Sequence, residues 1–214
     1  MNEFYLGTLV GVVQTIIGHP LDTLKTNFQN RSKINLKKNI IRKLYSGVTY
    51  PLVSSVITSG FIFYSNDYFN KKLDNHFYSG FITGMTCTPL INFLEVFKVK
   101  AQIGLKNKFS NFNLGISATL ARESLGTGIY FGTYHYLRKN NNCFTSGSCA
   151  GLLSWALTYP IDAIKTRLQT GDSKTWRQAI NKGNLTSGIT VCLIRSFIVN
   201  GTSFTIYEYV KQNV

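Results

Sequence analysis

Polar and apolar positions alternate along this chain on a long wavelength. Runs of about twenty apolar and small residues are separated by polar, mostly basic connectors. Residues 4–24, 50–66 and 77–94 carry one charge between them, Asp22. The pattern predicts helices at about 4–28, 50–70, 77–101, 115–138, 145–168 and 189–211. A helix of about 25 residues rises roughly 37 Å, enough to cross a bilayer with tilt. The expectation is an all-α membrane protein with six transmembrane helices.

The spans repeat. Gly7-x3-Gly11 is followed by Pro20, Asp22 and Lys25, and Gly147-x3-Gly151 by Pro160, Asp162 and Lys165 at the same spacing. Between them, Gly80-x3-Gly84 leads to Phe93, Glu95 and Lys98, with a proline one turn earlier at Pro89. The intervening spans open on Gly47, Gly115 and Gly188 and end in aromatic residues. A helix pair is therefore used three times, over 1–72, 73–140 and 141–214, within a single domain of residues 1–214. The Gly-x3-Gly pairs let helix backbones approach closely in lipid. Pro20, Pro89 and Pro160 are expected to kink their helices. Each repeat places an acid and a base three apart in an apolar stretch, and such charges at membrane depth point to function.

Charge and composition narrow the class. The chain carries 23 Lys and Arg against 9 Asp and Glu, a net +14. This balance fits either a nucleic-acid surface or a membrane protein handling anions. The bases gather in connectors, as at Arg31, Lys33, Lys37, Lys38, Arg42 and Lys43, and that placement disfavours nucleic acid. Cys87, Cys143, Cys149 and Cys192 lack ligand spacing, and His19, His76 and His135 are scattered. No metal or cofactor is expected, no nucleophile–base arrangement marks an enzyme, and no cleavable secretory signal precedes the first span.

Pro20-Leu21-Asp22-x-x-Lys25 and Pro160-Ile161-Asp162-x-x-Lys165-x-Arg167-x-Gln169 resemble the signature of the mitochondrial carrier family. Gly126-Thr127-Gly128-Ile129-Tyr130-Phe131 and Arg195 to Glu208 resemble the family's fourth and sixth helices, most nearly those of amino-acid and carnitine carriers. The resemblance implies six helices around a central cavity, working by alternating access in the mitochondrial inner membrane. It further implies a monomer that binds cardiolipin at the helix starts Gly47, Gly115 and Gly188. The chain is short for the family, with the deficit in connectors such as 102–114.

The same resemblance assigns roles. Asp22, Glu95 and Asp162 would pair with Lys98, Lys165 and Lys25 and close the matrix end. Asp67, Lys71, Arg138, Glu208 and Lys211 would form an outer gate through Asp67–Arg138 and Glu208–Lys71. His135 stands there in place of an acid. This gate is expected to be weak, so that the resting state leans open to the intermembrane space. Ser54, Arg122 with Glu123, Arg195 and Asn200 would face the cavity and choose the substrate. The expected function is exchange of amino-acid-like or carnitine-like solutes. Alternatives are a nucleotide (or deoxynucleotide) exchanger, and a non-transporting degenerate carrier or membrane scaffold.

Overall fold

The helices form where the apolar periods place them. The structure, a computed structural model, describes residues 3–29, 44, 45, 47–103 and 115–213, with the side chains of 23–29 and 97–103 outside the description. Helix α1 spans Glu3–Gln29, α2 Thr49–Leu73, α3 His76–Ile103, α4 Ile116–Arg138 and α5 Cys143–Gln169. A short α6 (Trp176–Asn181) precedes α7 (Ile189–Asn213). Six residues are too few to show a hydrophobic period, and α6 escaped the sequence reading. Among the described residues the chain is all-α.

Local chemistry sets the helix ends. Gly47, Gly115 and Gly188 adopt φ of 76°, 72° and 83°. This left-handed backbone favours glycine, so α2, α4 and α7 are entered through the same kind of turn. Asn142 caps α5, its side chain accepting from the Thr145 N–H at 3.0 Å. Pro20, Pro89 and Pro160 lie inside α1, α3 and α5. Pro20 has no N–H to offer the Ile16 carbonyl one turn back. The Tyr45 hydroxyl donates to that carbonyl at 2.9 Å, replacing the lost bond from outside the helix.

The six long helices close a ring. Helix α1 packs on α2, α3 on α4 and α5 on α7, and the pairs join through α2–α3, α4–α5 and α7–α1. The Gly-x3-Gly motifs lie inside the three pairs. A Cβ added at Gly11 would sit 2.6 Å from the Ser55 carbonyl oxygen of α2. One at Gly80 would sit 2.5 Å from the Thr127 carbonyl oxygen of α4. Backbones meet there with no room for a methyl group, so the motif sets the approach of each pair.

Polarity is sorted inside out. Ile16, Val53, Met85, Leu120, Leu153, Leu157, Ile194 and Phe197 point outward, exposed. Thr15, Ser59, Thr83, Asn92, Thr119, Glu123, Thr158, Lys165 and Ser196 are buried inside. A bundle in water would bury the first set and expose the second; lipid reverses the preference. Exposed aromatics also collect at the end where α1 begins. Tyr5, Tyr68, Tyr78, Tyr136, Phe144 and Tyr209 come one from each long helix. Such a collar suits the headgroup level of a membrane.

Among the described residues, two stretches are long and apolar enough to cross a membrane by length and composition, Glu3–Asp22 and Ile189–Asn213. The expectation of six apolar spans is met only in part. The other long helices spend hydropathy on inward Ser and Thr and on Glu95, Arg122, Glu123, Asp162 and Lys165.

Candidate substrate cavity and its charged collar

A cavity of about 390 Å³ lies at the centre of the ring. Ser54 of α2, Arg122 and Glu123 of α4, and Arg195 and Asn200 of α7 all border it. Equal distance from an opening glycine carried Ser54, Arg122 and Arg195 to the same depth in three helices, with Glu123 beside Arg122 and Asn200 further along α7. Asp22 and Glu95 also line it, as do His19, Tyr50 and Trp155, which the sequence reading did not single out. The Trp155 ring lies 4.5 Å from the Arg122 guanidinium carbon. A cation over an aromatic face is attracted by the ring quadrupole, so Trp155 holds the fork in place. Asn200 is committed locally. Its Oδ1 accepts from the Tyr130 hydroxyl at 3.1 Å, and its Nδ2 donates to the Ser196 carbonyl at 2.9 Å.

Below the cavity the charges interlock. Lys165 is 3% exposed, and its Nζ lies 2.6 Å from Glu95 Oε2. The expected Glu95–Lys165 contact is thus made between α3 and α5. The same ammonium lies 3.5 Å from Glu123 Oε1, and Glu123 is itself 5% exposed. Glu123 also pairs with its neighbour Arg122. Gln169 sits beneath, donating to Glu95 Oε2 and to Asn92 Oδ1, each at 3.3 Å. A buried ammonium between two carboxylates is well compensated, while removing either partner leaves an uncompensated charge.

The other two collar acids meet arginines. Asp22 Oδ1 lies 2.6 Å from Arg195 Nε, and Asp162 Oδ1 lies 3.4 Å from Arg122 Nε. The expected partners, Lys98 and Lys25, fall outside the described side chains. Sequence spacing did not foretell the arginine contacts, because they depend on how far a long side chain reaches across the ring.

At the end where α1 begins, the expected pairing is corrected. Asp67 binds Lys71 within α2 at 2.6 Å rather than Arg138. Arg138 donates to the Asn141 carbonyl at 3.2 Å. Glu208 accepts from the Tyr134 hydroxyl at 2.8 Å rather than meeting Lys71. Lys211 reaches Glu3 of α1 at 2.9 Å, and Tyr207 donates to the same carboxylate at 2.7 Å. Among the described residues, this is the cross-helix ion pair of that end. Glu3 was missed because it precedes the first apolar run. A turn of helix brings Lys71 to Asp67 without crossing the bundle, and that local contact is the cheaper one.

Rings rather than charges fill this end. Phe63, Phe131, Tyr134 and Phe204 form one buried cluster, with Ile62, Tyr130 and Tyr207 packed against it. Phe204 stacks on Tyr134 with centroids 3.5 Å apart, and Phe63 meets Phe131 edge-on at 5.7 Å. On one side the rings border a smaller pocket of about 100 Å³ with Glu3, Asp67, Glu208 and Lys211. On the other, Ile62 and Asn200 border the central cavity. The expectation of an open outer end weighed charged pairs alone; aromatic burial supplies closure that a count of ion pairs does not register.

Similarity to known proteins matches this geometry. The sequence profile of the family described as mitochondrial carrier protein matches residues 1–77 and 139–214, more than half of the chain. The unmatched stretch holds the repeat in which Phe93 replaces the proline. A mitochondrial arginine transporter of Arabidopsis thaliana is 26% identical over 268 residues, covering 97% of this chain and 89% of that protein. A mitochondrial basic amino acids transporter of Bos taurus is 25% identical, covering 94% of this chain and 88% of its own. A mitochondrial carnitine carrier of Saccharomyces cerevisiae is 25% identical, with 95% and 85% covered.

Proposed function

The chain belongs to the mitochondrial carrier protein family, and on that premise we propose that it exchanges amino-acid-like solutes, cationic ones foremost, across the mitochondrial inner membrane. All six long helices would span the bilayer, with the outward apolar faces in lipid and the aromatic collar at one surface. One chain completes the ring and the cavity, which supports a monomer as the working unit. The glycine-opened starts of α2, α4 and α7 are the places for cardiolipin headgroups.

The observation that carries the substrate reading is the charge pattern of the cavity. Asp22, Glu95 and Glu123 face Arg122 and Arg195 across one space. A zwitterion fits that pattern, its carboxylate on a guanidinium fork and its ammonium on Glu123. The remaining acid favours a second cation on the solute. A nucleotide would bring several negative charges to a lining where the described acids exceed the arginines, so the nucleotide alternative loses ground despite the chain's net +14. The small Ser54 leaves space for the solute's side chain.

Proteoliposomes loaded with arginine test this. External arginine and lysine should inhibit labelled arginine uptake at least about tenfold more strongly than ATP, which corresponds to about 1.4 kcal/mol of preference. Carnitine should fall between them. Preference for ATP would reinstate the nucleotide reading. Folded protein that exchanges nothing would favour the non-transporting one.

A further inference from the structure

One glycine of α1 serves neither a turn nor a close helix crossing. Gly18 lies in the helix interior, where glycine is a poorer former than alanine. Gly7 and Gly11 of the same helix offset that cost by letting α2 approach, because a Cβ on either would strike α2 backbone. A Cβ on Gly18 would strike a side chain instead. Its three nearest atoms would all belong to Arg195 of α7: Nη2 at 2.8 Å, Cζ at 3.2 Å and Nε at 3.4 Å. The guanidinium therefore rests on bare helix backbone.

Gly18 is a floor under that group. Thr15 and Asp22, one turn to either side of it, border the central cavity, whereas Gly18 is itself buried. Arg195 also borders the cavity and so covers Gly18 from that side. Its Nε lies 2.6 Å from Asp22 Oδ1, on the same face of α1. The aspartate's charge fixes one part of the fork, and the missing side chain of Gly18 makes room for the other.

We propose that Gly18 is a positioning residue for solute selection: it seats the Arg195 guanidinium against α1, and the depth of that seat sets the length of amino acid that the cavity accepts. This rests on the amino-acid reading above. A methyl group at position 18 would evict Nη2 from its place. Ordinary contact begins near 3.4 Å, so the fork would retreat by about 0.6 Å or more. The helix blocks one direction, and the cavity lies open in the other. The displaced group is the far end of a flexible side chain, so the bundle itself is spared. The fork then stands further into the cavity and shortens the span left for the solute. A carboxylate takes a guanidinium through two parallel N–H bonds, a geometry that tolerates little misplacement. A long solute is squeezed between its two charged ends, while a shorter one has slack to follow the fork.

Gly18→Ala is the test, with arginine and ornithine as probes. The ornithine side chain ends at the nitrogen where the guanidinium of arginine begins. In proteoliposomes the variant should raise the KM for arginine about tenfold, with kcat within threefold of wild type, as expected for lost binding. Its kcat/KM for arginine should fall at least fivefold relative to that for ornithine. The purified variant should melt at or above the wild-type temperature, because alanine favours a helix interior. An unchanged arginine-to-ornithine ratio would overturn the proposal, whether both rates fall together or neither falls. So would a variant that does not fold, because Gly18 would then serve helix packing. Wild-type vesicles that carry neither solute would sink the amino-acid reading itself, a distinct result.

Discussion

Proteoliposomes carrying the Arg122→Ala protein should take up labelled arginine at least about 100-fold more slowly than wild type. The guanidinium compensates Glu123 beside it and Asp162 across the ring at 3.4 Å, and stacks on Trp155. Removing one partner of a buried charge pair typically costs about 3–5 kcal/mol, and about 2.7 kcal/mol already corresponds to 100-fold. The loss has two sources, a missing carboxylate anchor and an orphaned Glu123, which a second variant separates. Arg122→Met combined with Glu123→Met removes both charges and keeps apolar volume. Its melting temperature should recover toward wild type while uptake stays lost. Recovery of uptake in the double variant would remove Arg122 from the substrate site.

Lys165→Ala should have an effect of the same order through the collar. This ammonium is 3% exposed and faces Glu95 at 2.6 Å and Glu123 at 3.5 Å. Without it, two carboxylates confront each other in a low-dielectric interior, a repulsion of several kcal/mol before relaxation. Uptake should fall by roughly 100-fold or more on the same conversion. Exchanging the charges, Glu95→Lys with Lys165→Glu, restores one ion pair between α3 and α5. The transplanted carboxylate then faces Glu123, so rescue should be partial, on the order of a tenth of wild-type uptake. A swap with no rescue, alongside an unharmed Lys165→Ala protein, would show that this pair does not close the cavity.

These side chains differ in how plainly the sequence announced them. The six long helices and their order follow from apolar runs and a repeat, both local in the chain. Gly47, Gly115 and Gly188 were visible as a register, and their shared left-handed φ explains why it aligns Ser54, Arg122 and Arg195 on one cavity. The Glu95–Lys165 contact was legible through the family resemblance, which gives each collar acid the lysine of the next repeat. Arg122–Asp162 and Arg195–Asp22 were not, since long side chains choose among neighbours by reach and competition. The aromatic layer of Phe63, Phe131, Tyr134 and Phe204 was seen only as aromatic helix ends. Nothing in their spacing says that rings from three helices meet at one level. The outer pairs failed for a related reason: Lys71 had Asp67 within its own helix, and Lys211 had Glu3, outside the apolar run that framed the search.

The account stands most directly on whether the central space opens to water and responds to solute. In a background with Cys87, Cys143, Cys149 and Cys192 replaced by serine, Ser54→Cys places one thiol on the cavity wall. Its rate of modification by a membrane-impermeant reagent would be followed in reconstituted vesicles, with and without arginine on the far side. An alternating cavity predicts labelling whose rate changes several-fold when arginine is added. Labelling at one rate whether or not arginine is present, or none from either side, would contradict it.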